Sequence, residues 1–209
     1  MAYFPLFIDI AGQFCAVVGG GRVAEGKIRQ LLEFGADVAV TACTVTGQIA
    51  LWQEEGRIAV HLREYRPADI AGALLVVAAT DDVSLQRQVA AQCREQKIPV
   101  NVVDVRELCT FYFPAIVRRE DVVAAVSTGG SSPALAAKLR RELECVIPET
   151  CGQAAAIMGA HREYVLTHVA GAEKRKQVFE QMLEIVLREG RLSGEQVRNL
   201  CAHGADVYP

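Results

Sequence analysis

Short apolar stretches alternate with longer stretches of helical spacing over the first half of the chain. The continuous apolar run at 74–78 is typical of a strand that a parallel sheet buries on both faces. Between such runs, apolar positions recur three and four residues apart, which indicates amphipathic helices. Strands are predicted at 15–18, 37–41, 58–61, 74–78 and 100–103, helices at 23–34, 46–55 and 83–96, and a helical turn at 67–72. Short joins between these elements predict an α/β fold with a doubly wound parallel sheet.

The pattern changes after residue 113. Residues 114–126 predict two strands around a polar turn, and a helix is predicted from Pro133 to about residue 147. Because this hairpin and helix can bury little apolar surface alone, we expect them to pack on the molecule's own sheet or on a second subunit. The remainder is predicted to be helical. We therefore predict an α/β domain over 1–113, a small α+β dimerisation arm over 114–148 and an all-helical region over 149–209.

Several element boundaries carry their own local signals. Thr46 and Ser132 are predicted helix caps, residues 80–82 form a capping cluster, and Ser193 with Gln196 can form a capping box. Gly35 lies where a glycine commonly ends a helix. The apolar residues 3–8 predict an additional strand or a lid over the edge of the sheet.

A glycine-rich turn lies between the first predicted strand and the first predicted helix. Its residues Gly19, Gly21 and Ala24 follow the pattern Gly-x-Gly-x-x-Ala. In that pattern the first glycine allows a tight turn, the second lets the backbone approach a pyrophosphate, and the small third residue lets helix and strand pack closely. The helix start would then offer N–H groups to the phosphates. We interpret the turn as part of a Rossmann-like, dinucleotide-binding fold rather than as a purely structural turn.

The carboxyl ends of the other strands supply further candidates, because doubly wound sheets bind ligands there. They are Cys43 and Thr44 after the second strand, Thr80 and Asp81 after the fourth, and Asn101 and Asp104 on or beyond the last. The chain lacks the acidic residue that often binds the ribose hydroxyls about twenty residues after the glycines. Either backbone and hydroxyl groups hold the ribose, or the site does not take NAD in the ordinary way.

Three sets of polar residues could carry chemistry. Asp104 places a carboxylate at the mouth of the predicted cleft, where it could accept a proton; alternatively, it caps a turn or pairs with Arg106. Residues 127–132 resemble a second anion-binding loop at a helix start, or else serve as a flexible cap. The arm also concentrates basic residues, either as a solvated face or as a site for a polycarboxylate: Arg118, Arg119, Lys138, Arg140 and Arg141.

Composition narrows the class of protein. Of 209 residues, 51% are hydrophobic and 22% charged, as in an ordinary globular protein, and a net charge of -3 argues against a general nucleic-acid binder. The longest apolar run, 73–79, is too short to cross a bilayer, and we find no secretory signal, so we expect a cytoplasmic protein without a membrane partner. Seven cysteines without a Cys-x-x-Cys pair fit neither a disulfide framework nor a usual zinc site, and we expect no metal site.

Four motifs, in this order, resemble the precorrin-2 dehydrogenase/sirohydrochlorin ferrochelatase part of siroheme synthase. They are VVGGGRVA at 17–24, AATDD at 78–82, NVVD at 101–104 and AVSTGGSSP at 125–133. The resemblance is close over roughly residues 1–150 and looser over the helical tail. Residues 113–115 are similar to the family's entry into its dimerisation region. The chain resembles a stand-alone form without the methyltransferase domain that some members carry.

The resemblance implies that NAD accepts a hydride from precorrin-2 to give sirohydrochlorin, and that ferrous iron is then inserted to give siroheme. It implies NAD contacts from the glycine turn and the strand ends: Gly19, Gly21, Arg22, Val23, Cys43, Thr44, Thr80 and Asp81. Asp104 would take a proton in the oxidation and pyrrole protons in metal insertion. The tetrapyrrole would contact Asn101, Arg118, Arg119, Ser127, Thr128, Gly129 and Ser131. A homodimer that exchanges the arm would bring its basic residues to the partner's cleft.

Three alternatives stay open. The chain could dehydrogenate without inserting iron, or it could be a non-enzymatic sensor of NAD or NADH. An NAD-dependent dehydrogenase of a small substrate is the third alternative, weakened by the lack of a Tyr-x-x-x-Lys pair. Thr128 stands where a serine is common in the family, which leaves any regulation through that hydroxyl open.

Overall fold

A computed structural model describes residues 4–203 of the chain, which divides into two compact units. The first unit extends to Phe113 and the second begins at Pro114. This is the position at which the alternation of strands and helices ends in the sequence. The predicted arm and the predicted helical region both lie within the second unit, and their division near residue 148 stays a prediction.

A parallel sheet forms the centre of the first unit. Within the described residues it has five strands: β1 (Phe14–Val18), β2 (Asp37–Ala42), β3 (Ala59–Leu62), β4 (Leu75–Ala78) and β5 (Val100–Val102). Their order is β3-β2-β1-β4-β5, and every neighbouring pair is parallel. The winding direction reverses between β1 and β4, which is the position where such sheets bind ligands. The predicted doubly wound α/β fold is confirmed.

Helices cover both faces of this sheet. They are α1 (Arg22–Glu33), α2 (Gly47–Glu54) and α3 (Val83–Glu95), with short 3-10 turns at Pro67–Ile70 and Arg106–Leu108. Because side chains alternate along a strand, Cys15 and Val17 of β1 pack with α1 and α2, whereas Ala16 and Val18 pack with α3. Both faces of the central strand are therefore buried, as its uninterrupted apolar sequence predicts.

The capping signals lie where the sequence predicted them. The Thr46 hydroxyl accepts from the Ile49 N–H at the start of α2, and the Asp82 carboxylate accepts from two N–H groups at the start of α3. Gly35 follows the end of α1 with a φ of 75°. The caps at Thr46 and Asp82 fix where α2 and α3 begin and thereby bound the loops at the carboxyl ends of β2 and β4, whereas Gly35 ends α1 ahead of β2.

The additional strand predicted near the amino terminus is wrong for the residues that the structure describes, since 4–10 form no strand. Residue 3 lies outside the described residues. The physical reason is topological: this segment leads into β1, whose two edges are already paired with β2 and β4. Phe4 and Phe7 are 86% and 70% exposed, so other parts of the protein leave these side chains largely uncovered.

The second unit begins with an antiparallel hairpin of β6 (Ala115–Arg119) and β7 (Val122–Val126). Four helices follow within the described residues: α4 (Pro133–Val146), α5 (Glu149–His168), α6 (Ala172–Glu189) and α7 (Gly194–His203). The hairpin is tied to the start of α5 by Arg119, whose Nε donates to the Ile147 carbonyl and lies 3.1 Å from the Glu149 carboxylate. This tie helps to explain why the hairpin and the helices form one unit.

A separate apolar core holds α5, α6 and α7 together. Its buried residues include Val165, Met182 and Leu200, one from each helix. The predicted capping box at the start of α7 is present, since the Ser193 N–H donates to the Gln196 side chain and the Gln196 N–H donates to Ser193 Oγ. Among the described residues, no helix combines the length and apolar character required to cross a membrane.

Candidate functional site

The glycine turn lies compressed between the ends of β2 and β4. Gly19 has a φ of 120°, and a Cβ added to it would lie 2.1 Å from the Ala79 carbonyl oxygen. A Cβ on Gly20 would lie 2.1 Å from the Thr44 carbonyl oxygen. Gly21 differs, because a Cβ there would meet nothing within 4 Å. The first two glycines are therefore required by the protein's own backbone, whereas Gly21 faces open space that a ligand could enter.

The start of α1 offers backbone N–H groups to that space. Gly21 is the N-cap residue and has no side chain, and the first helical bond runs from the Glu25 N–H to the Gly21 carbonyl. The N–H groups of Arg22, Val23 and Ala24 therefore precede the helical hydrogen-bond ladder. Helices α2, α3 and α4 each have a side-chain cap, whereas α1 shares the lack of one with α5 and α6 of the second unit. An uncapped helix start beside an open glycine fits a bound pyrophosphate.

The loop after β2 is fixed by Thr46. Its N–H donates to the Gly20 carbonyl at 3.0 Å, and its hydroxyl donates to the Glu25 carboxylate at 2.9 Å. These bonds hold the loop against the glycine turn and leave the predicted cofactor residues Cys43 and Thr44 exposed. Sequence reasoning missed Gly20 and Glu25: the first occupied a variable position of the pattern, and the second lies 21 residues from its partner.

The loops after β4 and β5 are joined by one buried side chain that the sequence did not single out. Gln86 of α3 donates from Nε2 to the Thr80 carbonyl at 2.7 Å and to the Val103 carbonyl at 3.3 Å. Asp81, next to Thr80, is exposed. The structure thus brings the predicted residues of both loops to the same edge of the sheet as the glycine turn.

Asp104 follows β5 in an unusual backbone conformation. Its φ is 61°, in the left-handed region, which costs a non-glycine residue on the order of 1 kcal/mol. Its side chain is exposed and makes no hydrogen bond or ion pair with any of residues 4–203, so the alternative pairing with Arg106 is not formed. The Cys109 thiol holds the same loop through contacts with Val102 and the Val105 carbonyl.

Asn101 is placed differently from the exposed candidates. It is 7% exposed, and its amide donates to the Phe111 carbonyl at 3.0 Å. Its side chain therefore anchors the segment that leaves the sheet, and its contact with a substrate stays a prediction.

Burial raises the pKa of several thiols in the first unit. The pKa of Cys15 and that of Cys93 rise to about 11, and the pKa of Cys109 is also raised, in each case chiefly because burial penalises the thiolate. Burial likewise lowers the pKa of Lys27, whose Nζ lies 4.2 Å from the centre of the Phe113 ring. The three thiols are therefore protonated at neutral pH and poorly nucleophilic.

In the second unit, the predicted loop before α4 is closed by its own hydrogen bonds. The Thr128 hydroxyl donates to the Ser132 carbonyl and accepts from the Ser132 N–H, and Ser127 Oγ accepts from the Gly129 N–H. Ser131 is exposed, and its N–H donates to the Thr128 carbonyl. This loop caps α4 in the structure, and its binding of a substrate stays a prediction.

The predicted arginines have backbone partners in the same unit. Arg118 Nε donates to the Glu120 carbonyl at 3.2 Å, and Arg119 donates to the Ile147 carbonyl as described above. Arg118 is exposed, whereas the Arg119 side chain is 18% exposed. Arg118 is consequently the more accessible of these two predicted contacts.

The strand order and the open glycine turn define a Rossmann-type dinucleotide-binding protein. The family model described as "Putative NAD(P)-binding" matches residues 6–115, and a second, "Sirohaem biosynthesis protein central", matches residues 125–144. The chain belongs to this NAD(P)-binding family in the form that siroheme synthases carry, which confirms the resemblance drawn from the four motifs.

Individual relatives agree with this assignment. Siroheme synthase of Pseudomonas putida strain W619 is 42% identical over 195 residues, covering 93% of this chain and 42% of that protein. Siroheme synthase of Methylobacillus flagellatus is 39% identical over 196 residues, which cover 94% of this chain and 42% of that protein. The chain thus spans about two fifths of these relatives. Among solved structures, "SirC, precorrin-2 dehydrogenase" is 25% identical with a TM-score of 0.75, covering 94% of this chain and 96% of SirC.

Proposed function

We propose that this protein oxidises precorrin-2 to sirohydrochlorin with NAD as the hydride acceptor. The observation that carries the proposal is the similarity to SirC, a precorrin-2 dehydrogenase, because it extends over 96% of that chain. The siroheme synthases are more similar in sequence but much longer, so their full activity transfers less directly. The geometry of the first unit supports the same function, since the open glycine turn and the exposed Asp104 carboxylate both follow carboxyl ends of strands in one parallel sheet.

In this proposal the pyrophosphate of NAD binds above Gly21, where the N–H groups of Arg22 and Val23 have no hydrogen-bond partner among the described residues. Cys43 and Thr44 lie beside the adenosine ribose, which their backbone and hydroxyl groups would hold in place of the missing acidic residue. Gly19 turns the chain, and Thr80 and Asp81 border the crevice at the end of β4. When bound, NAD supplies a two-electron acceptor that takes a hydride.

Asp104 serves as the proton acceptor. Oxidation of precorrin-2 removes two electrons and one proton as a hydride, and a second proton must leave the ring. An exposed carboxylate without a partner in the described residues can receive that proton. Hydrogen bonds to the Val103 and Val105 carbonyls hold the backbone on both sides of Asp104, which limits where its carboxylate can lie during proton transfer.

The second unit supplies the proposed contacts with the carboxylates of the tetrapyrrole. Arg118 is exposed and cationic, and Ser131 lies in the loop before α4. Arg119, Ser127, Thr128 and Gly129 are the other proposed contacts of this unit. Guanidinium groups suit this role because they pair with carboxylates through two parallel hydrogen bonds.

Self-association through the second unit is also proposed. Helix α4 contains no buried residue, yet Leu135, Leu139 and Val146 follow one another at helical spacing and are 48%, 36% and 73% exposed. A second copy of the chain would cover this helix, and sedimentation velocity over a range of protein concentrations measures the association.

The central experiment incubates the purified protein with precorrin-2 and NAD under anaerobic conditions and follows NADH and sirohydrochlorin. We expect both to form in equal amounts, and the absence of sirohydrochlorin would refute the proposal. We also propose that the protein inserts ferrous iron into sirohydrochlorin to give siroheme, and addition of ferrous iron to the same reaction tests this second activity. Siroheme formation faster than in a protein-free control would support it, and an equal rate would leave a dehydrogenase alone.

Asp104→Asn removes the proton acceptor but preserves the size of the side chain. We expect NAD affinity to stay unchanged and kcat to fall at least about 100-fold, the usual contribution of a positioned acid or base. Glu107→Gln is the matched control, because Glu107 is an exposed carboxylate on the same loop and should be replaceable without loss. Full turnover by Asp104→Asn would eliminate the proposed role.

A further inference from the structure

Gln86 lies on the first turn of α3 and is 6% exposed, and its side-chain nitrogen donates two hydrogen bonds. One N–H bond goes to the Thr80 carbonyl and the other to the Val103 carbonyl, at 2.7 and 3.3 Å. A single amide group therefore connects the loop after β4 with the loop after β5. The two carbonyls are 23 residues apart in the sequence, and each lies just past the end of its strand.

The two carbonyls have a common relation to the candidate site. The Thr80 carbonyl belongs to the peptide group that leads into Asp81, and the Val103 carbonyl belongs to the peptide group that leads into Asp104. Because a peptide group is planar, a hydrogen bond to its oxygen also restricts the orientation of the following N–Cα bond. Gln86 thus restrains the backbone directly before both exposed aspartates.

Packing alone does not explain a glutamine at this position. Its Oε1 is buried and has no hydrogen-bond partner among the described residues. A buried unpaired acceptor opposes folding, and a leucine of similar size would avoid that cost. The two donated bonds are therefore the feature that requires an amide here.

The backbone of Asp104 needs such a restraint. Its φ of 61° is a conformation that residues other than glycine rarely adopt. On its carboxyl-terminal side, the Cys109 thiol bonds to the Val105 carbonyl, and on its amino-terminal side Gln86 holds Val103. The loop is held on both sides of Asp104, while the carboxylate itself has no partner in the described residues.

We infer that Gln86 is a positioning residue, which fixes the Asp104 carboxylate relative to the loop after β4. The inference depends on the proposed oxidation for the reaction that this positioning serves. The restraint on the loop, however, can be measured without any substrate.

The test replaces Gln86 with leucine and uses Gln92→Leu as the matched control. Gln92 is on the same helix and also donates to a backbone carbonyl, that of Pro67, but this contact lies before β4 rather than beyond its carboxyl end. In the Gln86→Leu variant we expect amide hydrogens of residues 103–108 to exchange about tenfold faster, since the bond from Gln86 to the Val103 carbonyl is lost. We expect kcat to fall about 10- to 100-fold with the Kd for NAD within about twofold of wild type.

Each outcome decides the inference. Wild-type kcat in Gln86→Leu, with or without faster exchange, overturns it, as does a Kd for NAD that rises by the same factor as kcat falls. The Gln86→Asn variant keeps the amide on a shorter side chain, so its kcat should fall less than that of Gln86→Leu. If Gln86→Leu does not fold, Gln86→Asn replaces it in the same measurements. If the wild-type protein does not oxidise precorrin-2, the proposed function fails, and unchanged exchange in Gln86→Leu would separately overturn the restraint.

Discussion

Gly21→Ala is the sharpest test of where the dinucleotide binds, because this glycine is not required by the fold. Gly21 has a φ of -81° and a ψ of -175°, which alanine adopts readily, and an added Cβ meets nothing within 4 Å. Alanine is a poorer N-cap than glycine, but it also restricts the unfolded chain, and these effects oppose each other. We expect the free energy of unfolding to change by less than about 1 kcal/mol.

The same methyl group would occupy the space in which a pyrophosphate approaches the start of α1. A hydrogen bond to a charged group contributes about 1.5–3 kcal/mol, and a displaced phosphate would lose at least one such bond. Since each 1.4 kcal/mol corresponds to a factor of about ten, the Kd for NAD should rise about 10- to 100-fold. The prediction is thus a large loss of affinity without a loss of stability.

Gly20→Ala provides the contrasting variant. Its Cβ would lie 2.1 Å from the Thr44 carbonyl oxygen, so backbone must move, and we expect a loss of about 3 kcal/mol of stability. Titration calorimetry measures the Kd, and urea unfolding followed by the fluorescence of Trp52, the chain's single tryptophan, measures the stability of the first unit. An unchanged Kd for Gly21→Ala would refute the placement of the pyrophosphate, and a fully stable Gly20→Ala would refute the close approach.

Two further predictions concern the first unit. Iodoacetamide should label both Cys43 and Cys145, which are exposed, and saturating NAD should protect only Cys43; equal labelling of Cys43 with and without NAD would contradict its place in the site. The Arg63 side chain hydrogen-bonds both oxygens of Asp69, at 2.8 and 2.6 Å, and lowers its pKa. A lowered carboxyl pKa stabilises the folded state above the unfolded pKa of about 3.9, and this stabilisation is lost as pH falls through the folded pKa. The Asp69→Asn variant should therefore have a lower free energy of unfolding than wild type at pH 7, and the difference should shrink below about pH 4. Unfolding followed by Trp52 fluorescence measures this difference. A margin independent of pH would contradict this reasoning.

Much of the first unit could be predicted because its signals are local. The apolar run at 74–78 gives β4, and the cap at Thr46 gives the start of α2. The glycine turn was found for the same reason, since a strand, three glycines and a helix follow one another directly in the chain. The residues at the ends of the strands then followed from the general rule for parallel sheets.

The residues that hold the site together could not be predicted in this way. Gln86 acts on a carbonyl 17 residues away, and Glu25 accepts a bond from a hydroxyl 21 residues away. Both interactions depend on which strands become neighbours, which a local pattern does not encode. The strand predicted for the amino-terminal segment was wrong for a related reason. Its apolar residues fit a strand, but both edges of β1 are already paired in the sheet.

The structure separates the residues that hold the strand-end loops from the residues left free at their tips. The Thr46 hydroxyl donates to the Glu25 carboxylate and accepts from the Ile49 N–H at the start of α2. The Gln86 amide donates to the Thr80 carbonyl, and the Cys109 thiol donates to the Val102 carbonyl at the end of β5. Cys43 and Asp104 are exposed at the tips of the loops that these residues hold. Substitutions at the tips should therefore change binding or proton transfer directly, whereas substitutions of the holding residues should act through the position of the tips. This distinction is why a loss of kcat without a change in Kd is informative for Gln86 but would not by itself identify a group that contacts the substrate.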